Sequence, residues 1–107
     1  MRVESLVDMT VNKVQAILTR FQPRDFVDLY FLLREGPEKD LARILGLVRA
    51  KFDAGAHPLA LARRLVMARE IAELPKMLRP VSLAEIVDFC EAQARALMSL
   101  RDDGGHP

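Results

Sequence analysis

The chain has 107 residues, with 16 basic and 15 acidic side chains and a formal net charge of +1. This length fits one compact domain, and half of the residues are hydrophobic, which is enough to build a core. The near balance of charge argues against a general polyanion-binding surface. The single cysteine, Cys90, excludes an intramolecular disulfide and is expected to be buried in a cytosolic protein.

Membrane and export signals are missing from the sequence as given. No apolar stretch approaches the roughly 20 residues that a membrane span needs. The first residues do not show the pattern of a signal peptide. We therefore expect a cytoplasmic protein without a membrane partner.

The first predicted helix runs from Ser5 to about Phe21, because Ser5 followed by Asp8 is typical of a helix start. Lys13 and Arg20 lie seven residues apart and project from one face. The short segment 2–4 before this helix is interpreted as the end of a strand. The apolar stripe of the helix comprises Leu6, Met9, Val14, Ile17, Leu18 and Phe21.

The second and third helices are separated by Gly36. The second is predicted to begin at Pro23 and to be apolar on nearly every side except at Asp28, which is typical of a helix buried among others. The third is predicted from Pro37 to about Asp53. Its apolar stripe comprises Leu41, Ile44, Leu45, Val48 and Phe52.

The fourth helix is predicted from Pro58 to about Glu73, with His57 at its start on the surface. The fifth begins at the capping box formed by Ser82 and Glu85. These patterns predict an all-α, single-domain bundle or array of about five helices over residues 1–101, followed by a flexible tail at 102–107. The apolar stripe of the fifth helix comprises Leu83, Ile86, Val87, Cys90, Ala94, Leu97 and Met98.

Other residue patterns are less informative about function. The methionines at positions 9, 67, 77 and 98 are interpreted as core filling. The two histidines have no cysteine or acid at ligand spacing, so no metal site is predicted. A basic group is either a solvated helix face or an RNA-facing patch; its members are Arg49, Lys51, Arg63, Arg64 and Arg69.

Residues 13–33 follow the pattern K-x-x-A-x-x-x-R-x-x-x-R-D-x-x-D-L-x-x-L. The positions that fill it are Lys13, Ala16, Arg20, Arg24, Asp25, Asp28, Leu29 and Leu32. This stretch resembles the AbiEii/AbiGii nucleotidyltransferase family, which includes toxins of type IV toxin–antitoxin and abortive-infection systems. The resemblance continues more loosely through Lys51-Phe52 and residues 77–89, and it implies the C-terminal helical part of such an enzyme.

The resemblance also implies a site. In that family an N-terminal half carries a Gly-Ser motif and an Asp-x-Asp pair, which place the nucleotide phosphates and divalent metal. This sequence contains neither motif. The resemblance makes Lys13, Asp25 and Asp28 the family-like catalytic candidates, and Lys13, Arg20 and Arg24 the nucleotide-binding candidates.

The spacing alone also allows a structural interpretation of the same residues. Arg24 and Asp28 have the i,i+4 spacing of a helix ion pair, and Arg20 is in reach of Asp25 or Asp28 across the bend. Asp25 in the first turn favours the helix dipole. Lys13 has only apolar residues at i±4, so no structural partner is evident for it.

Three hypotheses follow for the function. The leading one is a non-catalytic scaffold or interaction domain, which needs no cofactor and forms a homodimer through the first two helices. The second is one half of a split nucleotidyltransferase, which would use Mg²⁺ and a nucleoside triphosphate once a separate N-terminal half completed it. The third is a stand-alone regulator that binds protein or RNA, and a cognate antitoxin is a further partner that the resemblance implies.

Overall fold

The computed structural model describes residues 3–52, 57–74 and 81–105, and the surroundings of side chains at 6–52, 57–74 and 81–99. Within these ranges the chain forms helices and no strand, which confirms the all-α prediction. The five α-helices are α1 (Val3–Thr19), α2 (Pro23–Glu35), α3 (Leu41–Lys51), α4 (Pro58–Val66) and α5 (Leu83–Gly105). A short 3₁₀ helix, Met67–Glu70, continues α4.

One hydrophobic core joins all five helices. α1 contacts α2, α3 and α4, while α5 packs along α4 and also meets α2 and α3. Each helix contributes apolar side chains at helical spacing, and most residues of the predicted apolar stripes are buried in this core. The largest fully buried side chains include Ile17, Phe26, Leu29, Ile44, Leu45, Leu61, Leu65 and Ile86. Cys90 is buried among them, as expected.

The predicted start signals of α2 and α5 are confirmed. α2 begins at Pro23 and ends at Glu35, with Gly36 as its C-cap. At α5 the Ser82 hydroxyl accepts a hydrogen bond from the Glu85 N–H at 3.1 Å and donates to the Glu85 carboxylate at 3.2 Å. Both signals concern the backbone N–H groups that a helix start leaves without partners: the Ser82 hydroxyl bonds one of them, and Pro23 has none to satisfy.

Other predicted boundaries are wrong. Val3 and Glu4 are already helical and belong to α1, so they do not form the end of a strand, and α1 stops at Thr19; Arg2 lies outside the described residues. The α-helical geometry of α4 ends at Val66 and tightens into the 3₁₀ turn before the extended Ile71. Ile71 is buried, and its insertion into the core ends the helix before Glu73.

The start of α3 is also later than predicted. The chain between α2 and α3 is instead used to cap both helices. The Lys39 ammonium donates to the carbonyls of Leu33 and Gly36, each at 3.3 Å, near the negative end of the α2 dipole. Asp40 is the N-cap of α3, and its carboxylate accepts from the Ala42 N–H at 3.0 Å. α3 therefore begins at Leu41 and not at Pro37.

Several apolar residues predicted in the core lie on the surface. Met9, Phe52 and Met98 are 44%, 40% and 48% exposed. Three further residues named in the predictions, Asp53, Gly55 and Met77, lie outside the described residues. α5 continues to Gly105 and so runs into the segment 102–107 that was expected to form a tail. Among the described residues, no helix is long and apolar enough to cross a membrane.

Two glycines give a matched test of the packing at the end of α2. A Cβ atom at Gly36 would lie 2.5 Å from the backbone oxygen of Leu32, whereas a Cβ at Gly46 would meet nothing within 4 Å. We expect Gly36→Ala to lower the free energy of unfolding by about 1–3 kcal/mol, because the helix end must shift. Gly46→Ala, in the exposed middle of α3, should raise it by about 0.5–1 kcal/mol. Urea denaturation measures both; equal effects of the two substitutions would contradict the close approach at Gly36.

Candidate functional site

Asp25 accepts hydrogen bonds from two cations, Lys13 of α1 and Arg20 directly after the end of α1. Its Oδ1 accepts from Lys13 Nζ at 3.1 Å and from an Arg20 guanidinium N–H at 3.2 Å, and its Oδ2 accepts from Arg20 Nε at 3.0 Å. The Asp25 side chain is only 3% exposed. Both of its oxygens are therefore committed, and the carboxylate ties α1 to the first turn of α2.

Lys13 also pairs with a second carboxylate one turn further along α2. Its ammonium lies 3.0 Å from Asp28 Oδ2. We refer to Lys13, Arg20, Asp25 and Asp28 as the Asp25 cluster. The four side chains carry two positive and two negative charges, so the cluster as a whole is neutral.

The local sequence explains how the cluster forms. Asp25 and Asp28 are three residues apart, so they project from the same side of α2. α1 ends at Thr19, and Arg20 follows it with its N–H still bonded to the Ala16 carbonyl at 2.9 Å. The short connection then turns the chain back, so that the side chain of Arg20 reaches Asp25 in the first turn of α2.

The cluster shifts the pKa values of its members. Burial tends to raise the pKa of Asp25, but the hydrogen bonds and charges of Arg20 and Lys13 outweigh it and hold that pKa below its ordinary value. Partial burial tends to lower the pKa of Lys13, yet Asp28 and Asp25 together raise it. The hydrogen bond to Asp25, with the attraction between the two charges, also raises the pKa of Arg20. All three groups are therefore charged near neutral pH.

A groove of about 720 Å³ lies between α1 and α2 beside the cluster. We call it the α1–α2 groove. Lys13, Arg20 and Asp28 of the cluster line it, while the buried Asp25 does not. Its size is within the range of small-molecule sites in proteins. The remaining lining residues are Leu6, Met9, Asn12, Ala16, Phe31, Leu32 and Glu35.

Four of the five predicted site residues lie together in the structure, and the fifth, Arg24, lies apart from them. Lys13, Asp25 and Asp28 lie together, and so does Arg20. Arg24 does not join them: it is exposed, it does not line the groove, and it forms no ion pair with any described residue. The predicted Arg24–Asp28 pair is therefore wrong, because Asp28 pairs with Lys13 instead. The expectation that Lys13 lacks a structural partner is also wrong, since its partners lie on the next helix.

The predicted basic face is divided among separate contacts. Lys51 lies 3.0 Å from an Asp8 carboxylate oxygen and donates to the Asn12 side chain at 2.9 Å, which joins α3 to α1. Arg69 pairs with Glu91 of α5. These contacts neutralise two members of the group, and no observation in the described part of the chain favours an RNA-facing patch.

The Asp25 cluster does not fit a magnesium site by itself. Mg²⁺ requires about six oxygen ligands in near-octahedral geometry at ~2.1 Å. Both Asp25 oxygens accept from cations, and Asp28 is also engaged with Lys13. Across the described residues, no group of three or more His, Cys, Asp or Glu side chains is arranged to hold a metal ion.

Some features of the site were not found from the sequence. Because α2 is apolar on nearly every side, the sequence indicates a core position for Phe31 and Leu32, whereas the structure places both in the wall of the groove. The sequence also does not predict the polar contact between α2 and α5. The Tyr30 hydroxyl accepts a hydrogen bond from Arg34 of the same helix and donates one to Glu85 of α5 at 3.2 Å. The i,i+4 spacing of Tyr30 and Arg34 is a signal for the first of these contacts, but nothing in the spacing indicates Glu85.

Fold and site together define a small all-α domain that carries a lysine, an arginine and two aspartates around an open groove. A family model described as "Nucleotidyl transferase AbiEii toxin, Type IV TA system" matches residues 1–100. The chain therefore belongs to the AbiEii family, which confirms the resemblance of residues 13–33. Searches of curated proteins and of solved structures found no match to this chain.

Two conservative substitutions separate the roles of the aspartates. Asp25→Asn should lower the free energy of unfolding by about 2–3 kcal/mol, because a buried carboxylate loses its charge-assisted hydrogen bonds to two cations. Asp28→Asn is the matched control and should cost about 1 kcal/mol or less, because its side chain is 31% exposed and its one ion pair among the described residues is with Lys13. Chemical denaturation at pH 7 measures both values.

The cost of Asp25→Asn should also depend on pH. The pKa of Asp25 is lowered in the folded chain, so its contribution is present above the unfolded pKa of about 3.9 and is lost as the pH falls through the folded value. The stability difference between the wild type and Asp25→Asn should therefore shrink as the pH is lowered below ~4. A difference that stays constant down to acid unfolding would contradict the charged pairing.

Proposed function

We propose that this chain is a helical interaction domain of the AbiEii family, non-catalytic by itself, that docks protein in the α1–α2 groove. The observation that carries the proposal is the closed charge balance of the Asp25 cluster. Lys13 and Arg20 are both bonded to Asp25, and Lys13 is bonded to Asp28 as well. The cluster therefore serves first to hold α1 and α2 in place as the two walls of the groove.

Charge balance argues against triphosphate chemistry in this chain alone. Nucleotidyl transfer requires strong neutralisation of the phosphates by cationic side chains and metal ions. A triphosphate would have to compete with two carboxylates for the same lysine and arginine. The Asp25 carboxylate itself is shielded from solvent, so the loss of its cations would leave a buried charge uncompensated.

The composition of the groove supports a protein occupant. Its walls combine apolar side chains with charged ones, and Met9 is 44% exposed there. Apolar side chains beside polar and charged ones are the usual composition of a protein interface. The docked protein would be a copy of this chain, a catalytic half of the same family or a cognate antitoxin.

A transfer assay tests the non-catalytic part of the proposal. The purified chain, incubated with Mg²⁺ and each of the four labelled ribonucleoside triphosphates, should transfer no label to RNA or to protein. Lys13→Ala serves as the control for a real signal. Label transfer by the wild type that Lys13→Ala abolishes would overturn the proposal, because it would require a working site within this chain.

A second candidate function is one half of a split nucleotidyltransferase. The observation that favours it is the position of Lys13, Arg20 and Asp28, which line the groove while Asp25 holds them from behind. A separate polypeptide with a Gly-Ser motif and an Asp-x-Asp pair would supply the phosphate and metal contacts that this chain lacks. On its docking, the cluster would become one wall of a shared nucleotide site.

Reconstitution tests this second candidate. Mixing the chain with a polypeptide that carries both motifs should produce label transfer that neither component shows alone. Lys13→Ala should remove this transfer, whereas Arg24→Ala should retain it, because Arg24 lies outside the groove. Transfer that is unchanged by Lys13→Ala would exclude a contribution of the cluster to the chemistry.

A further inference from the structure

Lys51 of α3 fixes the orientation of the Asn12 side chain in the α1–α2 groove. Lys51 does not line the groove, and its ammonium donates to Asn12 Oδ1 at 2.9 Å. An ammonium can only donate, so it must face the carbonyl oxygen of the amide and not its nitrogen. Asn12 itself lines the groove. Its NH₂ group donates to no described residue and is therefore the end of the amide that remains available to an occupant.

Asp28 presents the opposite hydrogen-bonding character from the other wall. Its ion pair with Lys13 is made through Oδ2, which leaves Oδ1 as an acceptor at the surface of the groove. No hydrogen bond joins Asp28 to Asn12. The middle of the groove therefore offers a donor on α1 and an acceptor on α2, and water satisfies both while the groove is open.

An occupant of the groove displaces that water and must replace its hydrogen bonds. A polar group that is buried without a partner costs more free energy than an ordinary hydrogen bond contributes. A carboxylate in the groove would accept from Asn12 but would meet Asp28 as a like charge. An ammonium would donate to Asp28 but could not accept from Asn12. The charges of the Asp25 cluster balance, so the cluster gives no net attraction to either ion. A carboxamide satisfies both groups, because its acceptor and its donor are separate atoms.

The shape of the groove suits a helix as the occupant. α1 and α2 are joined by the short connection 20–22 and run back along each other. From Leu6 to Arg20 the α1 wall is about 21 Å long at ~1.5 Å per residue, which is the length of about four helical turns. A third helix packs between two such helices through side chains at i, i+3, i+4 and i+7.

We propose that the α1–α2 groove docks a helical segment of a partner protein whose apolar side carries one carboxamide side chain, asparagine or glutamine. The carboxamide oxygen accepts from Asn12, and its nitrogen donates to Asp28 Oδ1. The apolar side chains beside it pack on Met9, Phe31 and Leu32 of the groove. This assignment depends on the docking role proposed above, and it specifies the chemistry of the partner.

Four peptides test this assignment by nuclear magnetic resonance titration of the isotope-labelled full chain. Each peptide is a helix of about 16 residues with leucines along one side, and the four differ only in the residue at the centre of that side, which is Gln, Glu, Lys or Leu. The Gln peptide should bind at least about tenfold more tightly than the other three, because each of those leaves a groove group unpaired or meets it as a like charge. The shifted signals should include Asn12 and Asp28.

Two substitutions should redirect the preference in opposite directions. Asn12→Asp keeps an oxygen for Lys51 but replaces the donor of the groove by a second acceptor, so the Lys peptide should become the tightest of the four. Asp28→Asn removes the carboxylate and leaves the cluster with a net positive charge, so the Glu peptide should gain about tenfold over the Gln peptide. Gln15→Glu makes the same amide-to-acid change on α1 outside the groove and should keep the Gln preference.

Circular dichroism checks that each variant is folded, and if Asn12→Asp unfolds the chain, Asp28→Asn decides. Equal binding of the four peptides, or a wild-type preference for Glu, Lys or Leu, overturns the carboxamide assignment and leaves the docking role intact. A Gln preference that both groove substitutions leave unchanged, or that Gln15→Glu abolishes, overturns the assignment as well. Absence of binding by all four peptides overturns it together with helix docking in the groove, whereas the nucleotide-transfer assay decides the non-catalytic role independently.

Discussion

The arrangement of α1 and α2 depends on the ion pairs that Asp25 forms with Lys13 and Arg20. A carboxylate that is almost fully buried in the first turn of a helix is costly unless its charge is compensated. Lys13 of α1 and Arg20, which directly follows α1, provide that compensation, and both are held in place by it. The contact therefore sets the position of α2 relative to α1, and with it the shape of the groove that the two helices enclose.

The same contact determines what the site can do. Asp25 lies behind the groove, and Lys13, Arg20 and Asp28 line it. The same group of residues therefore connects the two helices and places charges at the surface of the groove. Their balance of charge favours the structural role in this chain alone. A partner that entered the groove would change that balance, which is why the same residues are compatible both with a docking domain and with one wall of a shared nucleotide site.

Family membership and site geometry support different parts of this interpretation. The match over residues 1–100 places the chain in a family of nucleotidyltransferase toxins. The residues that carry the resemblance, from Lys13 to Leu32, are also the residues that build the cluster and the groove. Two positions of the pattern lie outside both: Leu29 is in the core, whereas Arg24 is exposed and its role in this chain is not explained by the site.

The apolar surface of α2 extends beyond the side that enters the core. Phe26, Leu29 and Leu33 enter the core, whereas Phe31 and Leu32 line the groove on another side of the helix. A helix that is apolar on nearly every side is expected to be surrounded by other elements. Here one apolar side faces the open groove and is not covered by another helix. Uncovered apolar surface of this kind is the physical basis for expecting a partner there.

The sequence by itself determined the all-α class, the order of the helices and those boundaries that depend on local chemistry, such as Pro23 and the Ser82–Glu85 box. It also brought Lys13, Arg20 and the two aspartates under consideration, through their spacing and through the family pattern. It placed Arg20 in reach of Asp25 or Asp28, and Arg20 bonds Asp25. It did not find the partners of Lys13: spacing favoured an Arg24–Asp28 pair, and the structure joins Asp28 to Lys13. Partners across a bend depend on how two helices pack, and a helical period specifies which residues share a face but not which face of the neighbour they meet. For the same reason the surface position of Met9, the late start of α3 at Leu41 and the groove itself were decided only by the tertiary structure.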